Sequence, residues 1–436
     1  MKGLFESLKW NFFVLINTIQ NLLSKNGNAC SKTKITNFQE STNYIWVFCS
    51  TIGEVNACKP LLDQLHKESS KLVFLTDRNC YRESYLNHFP EAIVVELSGE
   101  IMEYKQLINK IPPSRFIVCE IPCSAHDAPC RLSYGILRSA KKHGASIQLV
   151  NGWLYDYQPS CRMDSIETTL FKKEYIQSFD KITVQTEDVA KKLIHFGVNQ
   201  DIIKVTGNMK FDCISNTQPL VSNGLTKELL ENIKTTERPK LIAGCLINEE
   251  EFSELLALFI NIKEQHNDLI AVFAPRHPEN KDLMEQIEKL LAKSQLHYRY
   301  KSQLETADTD EIDILVLDTI GELKAFFSVG DVCYMGQNHN ILEPLSFNKP
   351  VFTINGWEPT YPSYPVYQVA AEKALIHCSE TYSEMTTQIL KQLNPANKSA
   401  PQLIEVQLEN LKGATKKNIE WLRSHPSPTN EGCTKI

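Results

Sequence analysis

Short apolar runs separated by helical stretches constrain this 436-residue chain more than any other feature. From Tyr44 the candidate strands are YIWVFCS, KLVFLT, AIVVEL, RFIVCEI, SIQLVNG, KITVQT and IIKVTG, the last ending near residue 213. Most are apolar without alternation. A strand with one wet face alternates polar and apolar residues, whereas a strand covered on both faces does not. Helices between such strands therefore imply a parallel sheet. A polar stretch from Ser215, broken by Pro219 and Gly224 and closed by Pro239, marks a linker. A second set follows: KLIAGC, LIAVFAP, HYRY, DILVLD, DVCYMG and PVFTI. The pattern predicts an α/β protein with two doubly wound, Rossmann-like domains facing a cleft. The expected divisions are an N-terminal segment at 1–28, a first domain at 44–214, a linker at 215–238, and a second domain at 239–424 that includes a C-terminal helix. Residues 26 to 43 read as a polar linker.

Forty-six basic against 52 acidic residues give a net charge of −6, which argues against a nucleic-acid partner held by global charge. Thirteen cysteines, an odd number with no CxxC pair, read as reduced thiols of a cytosolic chain. Near the N-terminus, WNFFVLINTIQNLL is too short and too interrupted by Asn17, Thr18, Gln20 and Asn21 to span a bilayer, which needs ~20 apolar residues. Phe12, Leu15, Ile16, Ile19, Leu22 and Leu23 share one helical face, with Lys2, Lys9 and Lys25 flanking. Such a helix either lies in a membrane interface or packs on the protein's own core.

In doubly wound sheets, ligands bind beyond the carboxyl ends of the strands. Five strand-to-helix junctions stand out there. In STIGEV, Gly53 permits a tight turn and Glu54 opens a helix, where it can cap backbone N–H groups or act as a base. In GNMKFD, Lys210 is a cation at the domain border. In APRHPE, Arg276 offers a planar fork for phosphate or carboxylate and His277 a second donor. In LDTIGEL, Thr319, Ile320, Gly321 and Glu322 open a helix whose free N–H groups could hold an anion. In GQNHNILEP, Asn338, His339 and Asn340 cluster before Glu343; the pair Asn340 and Glu343 also fits a capping box. Two motifs are weighed as decoys. Cys119, Cys123, His126 and Cys130 depart from the usual zinc-ligand rhythm, and Asp308-Thr309-Asp310 sits in an acidic run that reads as a solvated loop.

Taken in order, STIGEV, NGW at Asn151 to Trp153, VTGNMKFD, APRHPE, LDTIGEL and HNILEP make the sequence similar to the Kdo transferases. These GT-B enzymes move 3-deoxy-D-manno-octulosonic acid (Kdo) from CMP-Kdo onto a lipid A precursor, lipid IVA, in lipopolysaccharide biosynthesis. The resemblance spans residues 44 to about 355. It implies an inverting glycosyltransferase in which Glu54 is the general base. Arg276 and His277 would meet the CMP phosphate, and Thr319, Ile320, Gly321 and Glu322 would surround the nucleotide. Asn340 and Glu343 would hold the ribose, and Ser50, Gly53, Glu120 and Lys210 would line the acceptor side of the cleft. It further implies no metal or other cofactor, and a peripheral or monotopic seat on the cytoplasmic face of the inner membrane through the N-terminal segment. The chain departs from the family's runs at VCEIPCSAHD, GCLINEEE, MGQNHN and NGWLY. A related transferase with another donor or acceptor, or an inactive nucleotide- or lipid-binding homologue, are the competing readings.

Overall fold

The structure is a computed structural model that describes residues 2–24, 33–41, 43–68, 71–98, 103–120, 132–154, 161–214, 223–394 and 401–424. It divides into two compact units, the first made of residues 1–213 and 411–436, the second of residues 214–410.

The first unit carries β1 (Lys34–Thr36), β2 (Tyr44–Phe48), β3 (Lys71–Thr76), β4 (Ile93–Glu96), β5 (Pro113–Cys119), β6 (Ser146–Gly152), β7 (Lys181–Val184) and β8 (Ile203–Val205). Their order is β1-β4-β3-β2-β5-β6-β7-β8, parallel throughout except for β1. The chain winds outward from β2 through β3 to β4, then returns to β5 on the other side of β2. Strand order thus reverses between β2 and β5, which opens a crevice at their carboxyl ends. β2 is buried along its whole length, as continuous apolar runs require. Ile45, Val47, Phe74, Val94 and Ile117 pack in one cluster with Val55, Leu61, Leu62 and Leu65 of the helix Ile52–Lys67.

The second unit carries β9 (Lys240–Leu246), β10 (Ile270–Pro275), β11 (Tyr298–Tyr300), β12 (Ile314–Val316), β13 (Val332–Met335), β14 (Val351–Ile354) and β15 (His377–Ser379). All seven are parallel, in the order β11-β12-β10-β9-β13-β14-β15, with the reversal between β9 and β13. The two sheets bear out the doubly wound expectation.

Four local expectations are corrected. The polar stretch before Tyr44 contributes β1, which adds antiparallel to β4 as an edge strand; residues 25–32 lie outside the described residues. The 215–238 linker contains the helix Gly224–Thr235, whose Leu229 and Ile233 are buried in the second unit; residues 215–222 are outside the description. The tail forms two helices, Pro401–Leu411 and Ala414–Ser424, divided at Gly413, whose φ of 100° a side chain would resist. The second of these belongs to the first unit rather than the second. Asp212 accepts the Gly413 and Thr415 N–H groups, and Lys181 donates to the Leu422 carbonyl at 2.6 Å.

The N-terminal helix runs Lys2–Ser24. Lys9 pairs with Glu174, Tyr134 donates to Glu6, and Trp10 and Phe13 pack on Phe171. This face docks on the first unit. The ridge Phe5, Leu8, Phe12, Leu15 and Ile19, at helical spacing, stays 47–66% exposed. The core-packing reading therefore holds for the docked face. No helix among the described residues is long and apolar enough to cross a membrane.

Candidate functional site

At the reversal point of the first unit, Ser50 and Thr51 follow β2, and Thr51 caps the helix by accepting the Glu54 N–H. The Glu54 side chain turns back, and its Oε2 accepts the Ser50 N–H at 2.6 Å. Its other oxygen, Oε1, is buried and has no hydrogen-bond partner. The backbone N–H of Glu54 is thus used in capping and Oε2 in holding Ser50, which leaves Oε1 uncommitted.

Glu120 enters from the end of β5 with φ 60°, an orientation a glutamate adopts at a cost. It is fully buried and pairs with Lys210 at 3.1 Å, and Lys210 is itself only 14% exposed. Burial, then the negative charge of Glu120, hold the Glu54 carboxyl well above the ordinary carboxylate range; the Ser50 N–H and the Lys210 charge pull it back. Ser50, Glu54, Glu120 and Lys210 are therefore brought together, whereas the tight turn expected of Gly53 is not formed: it lies in the first turn of the helix Ile52–Lys67 without a left-handed φ. Once deprotonated, a carboxylate with a raised proton affinity and an unpaired oxygen can take a proton from a hydroxyl.

Asn151, at the end of β6 and in the NGW motif, carries a role that its sequence did not assign. Its φ of 54° turns its carboxamide inward. There its Nδ2 donates to Glu120 Oε1 at 2.8 Å, and its Oδ1 accepts the Met209 N–H at 2.9 Å. The Asn-Gly pair ending a strand is the available signal, since asparagine tolerates the left-handed region. Asn208 Oδ1 accepts the Lys210 N–H at 2.9 Å, which fixes the turn that carries the lysine.

In the second unit, Arg276 follows β10 and is exposed; its N–H donates to the Leu246 carbonyl at 2.8 Å. His277 is exposed and meets Glu279 at 3.0 Å. Beyond β13, Gly336 lies so close to β9 that a Cβ would stand 2.4 Å from the Cys245 carbonyl oxygen. Cys245 has φ 62°, and burial pushes its thiol up to about 12. His339 carries a buried Nε2 without a partner. Burial, then the charges of Arg276 and His277, pull it down to about 4, so the imidazole is neutral near pH 7. Glu343 is raised by burial, against the Asn340 hydrogen bond and the charges of Lys324 and Arg276. Arg276, His339 and Glu343 thus share one electrostatic neighbourhood at the strand ends.

The capping-box reading of Asn340 and Glu343 is corrected in detail. The helix Leu342–Leu345 is one turn long, and Glu343 Oε1 accepts from the Asn340 side chain, not from its backbone. After β12, the Glu322 carboxylate is engaged inside the unit by Thr226, Thr319 and Lys301. Burial raises its proton affinity, but these hydrogen bonds outweigh it and hold the carboxyl low. Thr319 and Glu322 therefore brace the loop, while Ile320 stands 80% exposed and Gly321 takes φ 93°. Of the decoys, Cys123, His126 and Cys130 lie outside the described residues. Asp308 and Asp310 are exposed, on a loop whose Thr309 and Asp310 carbonyls accept from Arg238.

Residues 131–213 match the family model described as 3-deoxy-D-manno-octulosonic-acid transferase (kdotransferase). The chain is 24% identical over 319 residues to the 3-deoxy-D-manno-octulosonic acid transferase of Chlamydophila psittaci, covering 70% of this chain and 68% of that protein. With the Haemophilus influenzae protein of the same name it shares 23% over 325 residues, 71% and 70% of the two. A bifunctional glycosyltransferase/methyltransferase of Fusobacterium nucleatum is 23% identical over 71% of this chain, which spans 46% of that protein. Among solved structures, the UDP-GlcNAc 2-epimerase from Neisseria meningitidis aligns with a TM-score of 0.60 at 13% identity, covering 88% of this chain and 100% of that one. A glycosyltransferase from Rickettsia africae aligns at 0.57 with 12% identity, covering 88% and 100%. These two show a shared GT-B fold.

Proposed function

We propose that the chain is a divergent member of the Kdo transferase family, an inverting glycosyltransferase that moves Kdo from CMP-Kdo to a lipid A precursor, a reading supported by its similarity to that family. The observation that carries this reading is Glu54: a buried carboxyl at the strand reversal, with one oxygen held by Ser50 and the other unpartnered.

In this reading the acceptor hydroxyl reaches Glu54 Oε1, which takes its proton as the oxygen bonds to the anomeric carbon of Kdo. The bond from that carbon to the CMP phosphate breaks on the opposite face, which inverts the centre. The electron pair leaves with CMP, and the Arg276 guanidinium neutralises the departing phosphate by charge-assisted hydrogen bonds. Neutral His339 adds a donor without competing for the charge, Asn340 and Glu343 receive the ribose hydroxyls, and the Gly321 loop borders the nucleotide. No metal ion is assigned a role. The exposed ridge from Phe5 to Ile19 seats the first unit on the cytoplasmic face of the inner membrane, where the lipid acceptor resides.

A second reading, transfer from a different activated sugar, is favoured by Ile247 and Ile320, large apolar side chains exposed beyond β9 and β12. Competition of CMP, UDP and CMP-Kdo for the protein separates the two. The mechanism is tested by Glu54→Gln, which should abolish transfer while CMP binding survives. Unchanged turnover would remove Glu54 from the chemistry.

A further inference from the structure

We propose that Asn418, on the C-terminal helix Ala414–Ser424, is a positioning residue for the Glu54–Glu120–Lys210 cluster and acts through Thr183 and Asn151. The role rests on the reading of Glu54 as the base.

Asn418 is fully buried on a helix face that otherwise buries Ala414 and Leu422. An apolar residue would fill that position without desolvating an amide, so its polarity calls for partners. Every polar group of the side chain is engaged. Nδ2 donates to Thr206 Oγ1 at 2.9 Å and to the Ala414 carbonyl at 2.8 Å, and Oδ1 accepts from the Thr183 hydroxyl.

Thr183 has one hydroxyl proton. Two acceptors compete for it, Asn418 Oδ1 and the Leu149 carbonyl at 3.3 Å. When the proton points to Asn418, an oxygen lone pair accepts the Asn151 N–H at 3.2 Å. Gln185 Nε2 donates to the Asn151 carbonyl at 2.9 Å. The Asn151 peptide is thus held from both sides in its left-handed conformation, which persists only where its surroundings over-determine it. That peptide aims the carboxamide that ties Glu120 to the turn bearing Lys210.

The same helix also grips the far end of that turn. Asp212, two residues beyond Lys210, accepts the Gly413 and Thr415 N–H groups. Loss of the Asn418 contact therefore frees both Glu120 and Lys210 to shift relative to Glu54. The other titratable groups facing Glu54 are Cys49 from the end of β2, Cys119 from β5, and Cys58 from its own helix, all buried.

The test compares Thr183→Val, Thr183→Ser and Asn418→Leu with the wild type in the full chain. In Kdo transfer from CMP-Kdo, the Val and Leu variants should lose about tenfold or more in kcat, a barrier change of about 1.4 kcal/mol, with donor KM nearly unchanged. Their pH–rate profiles should shift, and Thr183→Ser, which restores the hydroxyl, should behave as wild type. Wild-type kcat and pH profile in both disrupting variants, or equal damage from Ser and Val, would overturn the proposal. If the wild type transfers no Kdo, it is the proposed function that fails. The positioning role is then read from thermal unfolding: the pH-dependent part of Tm that Glu54→Gln removes should move along the pH axis in Thr183→Val and stay in place in Thr183→Ser. An unmoved profile in Thr183→Val would overturn it.

Discussion

Lys210→Met removes the charge that faces Glu120 while keeping most of the side chain's volume. Glu120 is fully buried, and Lys210 is mostly so. Breaking a buried ion pair from one side strands a charge, which costs about 3–5 kcal/mol; replacing both partners is often neutral. Glu120 keeps its Asn151 hydrogen bond, which places the expected loss toward the lower end. For a domain of about 150–250 residues each kcal/mol lowers Tm by about 2–4 °C, so Lys210→Met should lower it by about 6–12 °C at neutral pH. Calorimetry on Lys210→Met, Glu120→Gln and the double variant, at neutral pH, closes a double-mutant cycle. The double variant should recover most of the loss. A Lys210→Met Tm within about 2 °C of wild type, or a double variant no more stable than the single, would refute the buried-pair reasoning.

Three further outcomes follow from the same geometry. Because the folded protein holds the Glu54 proton more tightly than the unfolded chain does, Glu54's contribution to stability is present below the ordinary carboxylate range and is lost as pH rises through its raised folded value. The Tm of wild type relative to Glu54→Gln should therefore fall as pH rises above the ordinary carboxylate range, and a flat difference would contradict the raised proton affinity. Arg276→Ala should weaken CMP binding about tenfold to a hundredfold by titration calorimetry, the value of a charge-assisted hydrogen bond, and unchanged affinity would move the phosphate site elsewhere. Phe12→Asp with Leu15→Asp should leave Tm intact, since both side chains are exposed, yet abolish sedimentation with anionic vesicles; retained sedimentation would place the membrane contact on another surface.

The sheets were legible because burial on both faces leaves an unmistakable mark: YIWVF and IAVFA allow no alternation. Lys34–Thr36 was not, since three residues at a sheet edge carry no period and their pairing with Val94–Glu96 is fixed only in three dimensions. The C-terminal helix shows the limit more sharply. Ala414, Asn418 and Leu422 mark one face in the sequence, but nothing local says which domain that face meets. The answer lies with Asp212, Thr183 and Thr206, some two hundred residues upstream. Glu54, Arg276 and Glu343 could be found at strand ends because their chemistry is local to a turn. Glu120 gains its meaning from Lys210, ninety positions later, and Asn151 from both. The bracing of Glu322 was equally hidden, since Thr226 and Lys301, distant in sequence, occupy its oxygens.

The central claim is Kdo transfer to a lipid, and an in vitro assay meets it most directly. Purified protein is mixed with CMP-Kdo generated in situ and a tetra-acylated lipid A precursor, and CMP release and lipid mass are followed together. A lipid that gains the mass of Kdo, with CMP released in equal amount, is the expected result. Protein that binds CMP yet adds no mass to the lipid would contradict the claim.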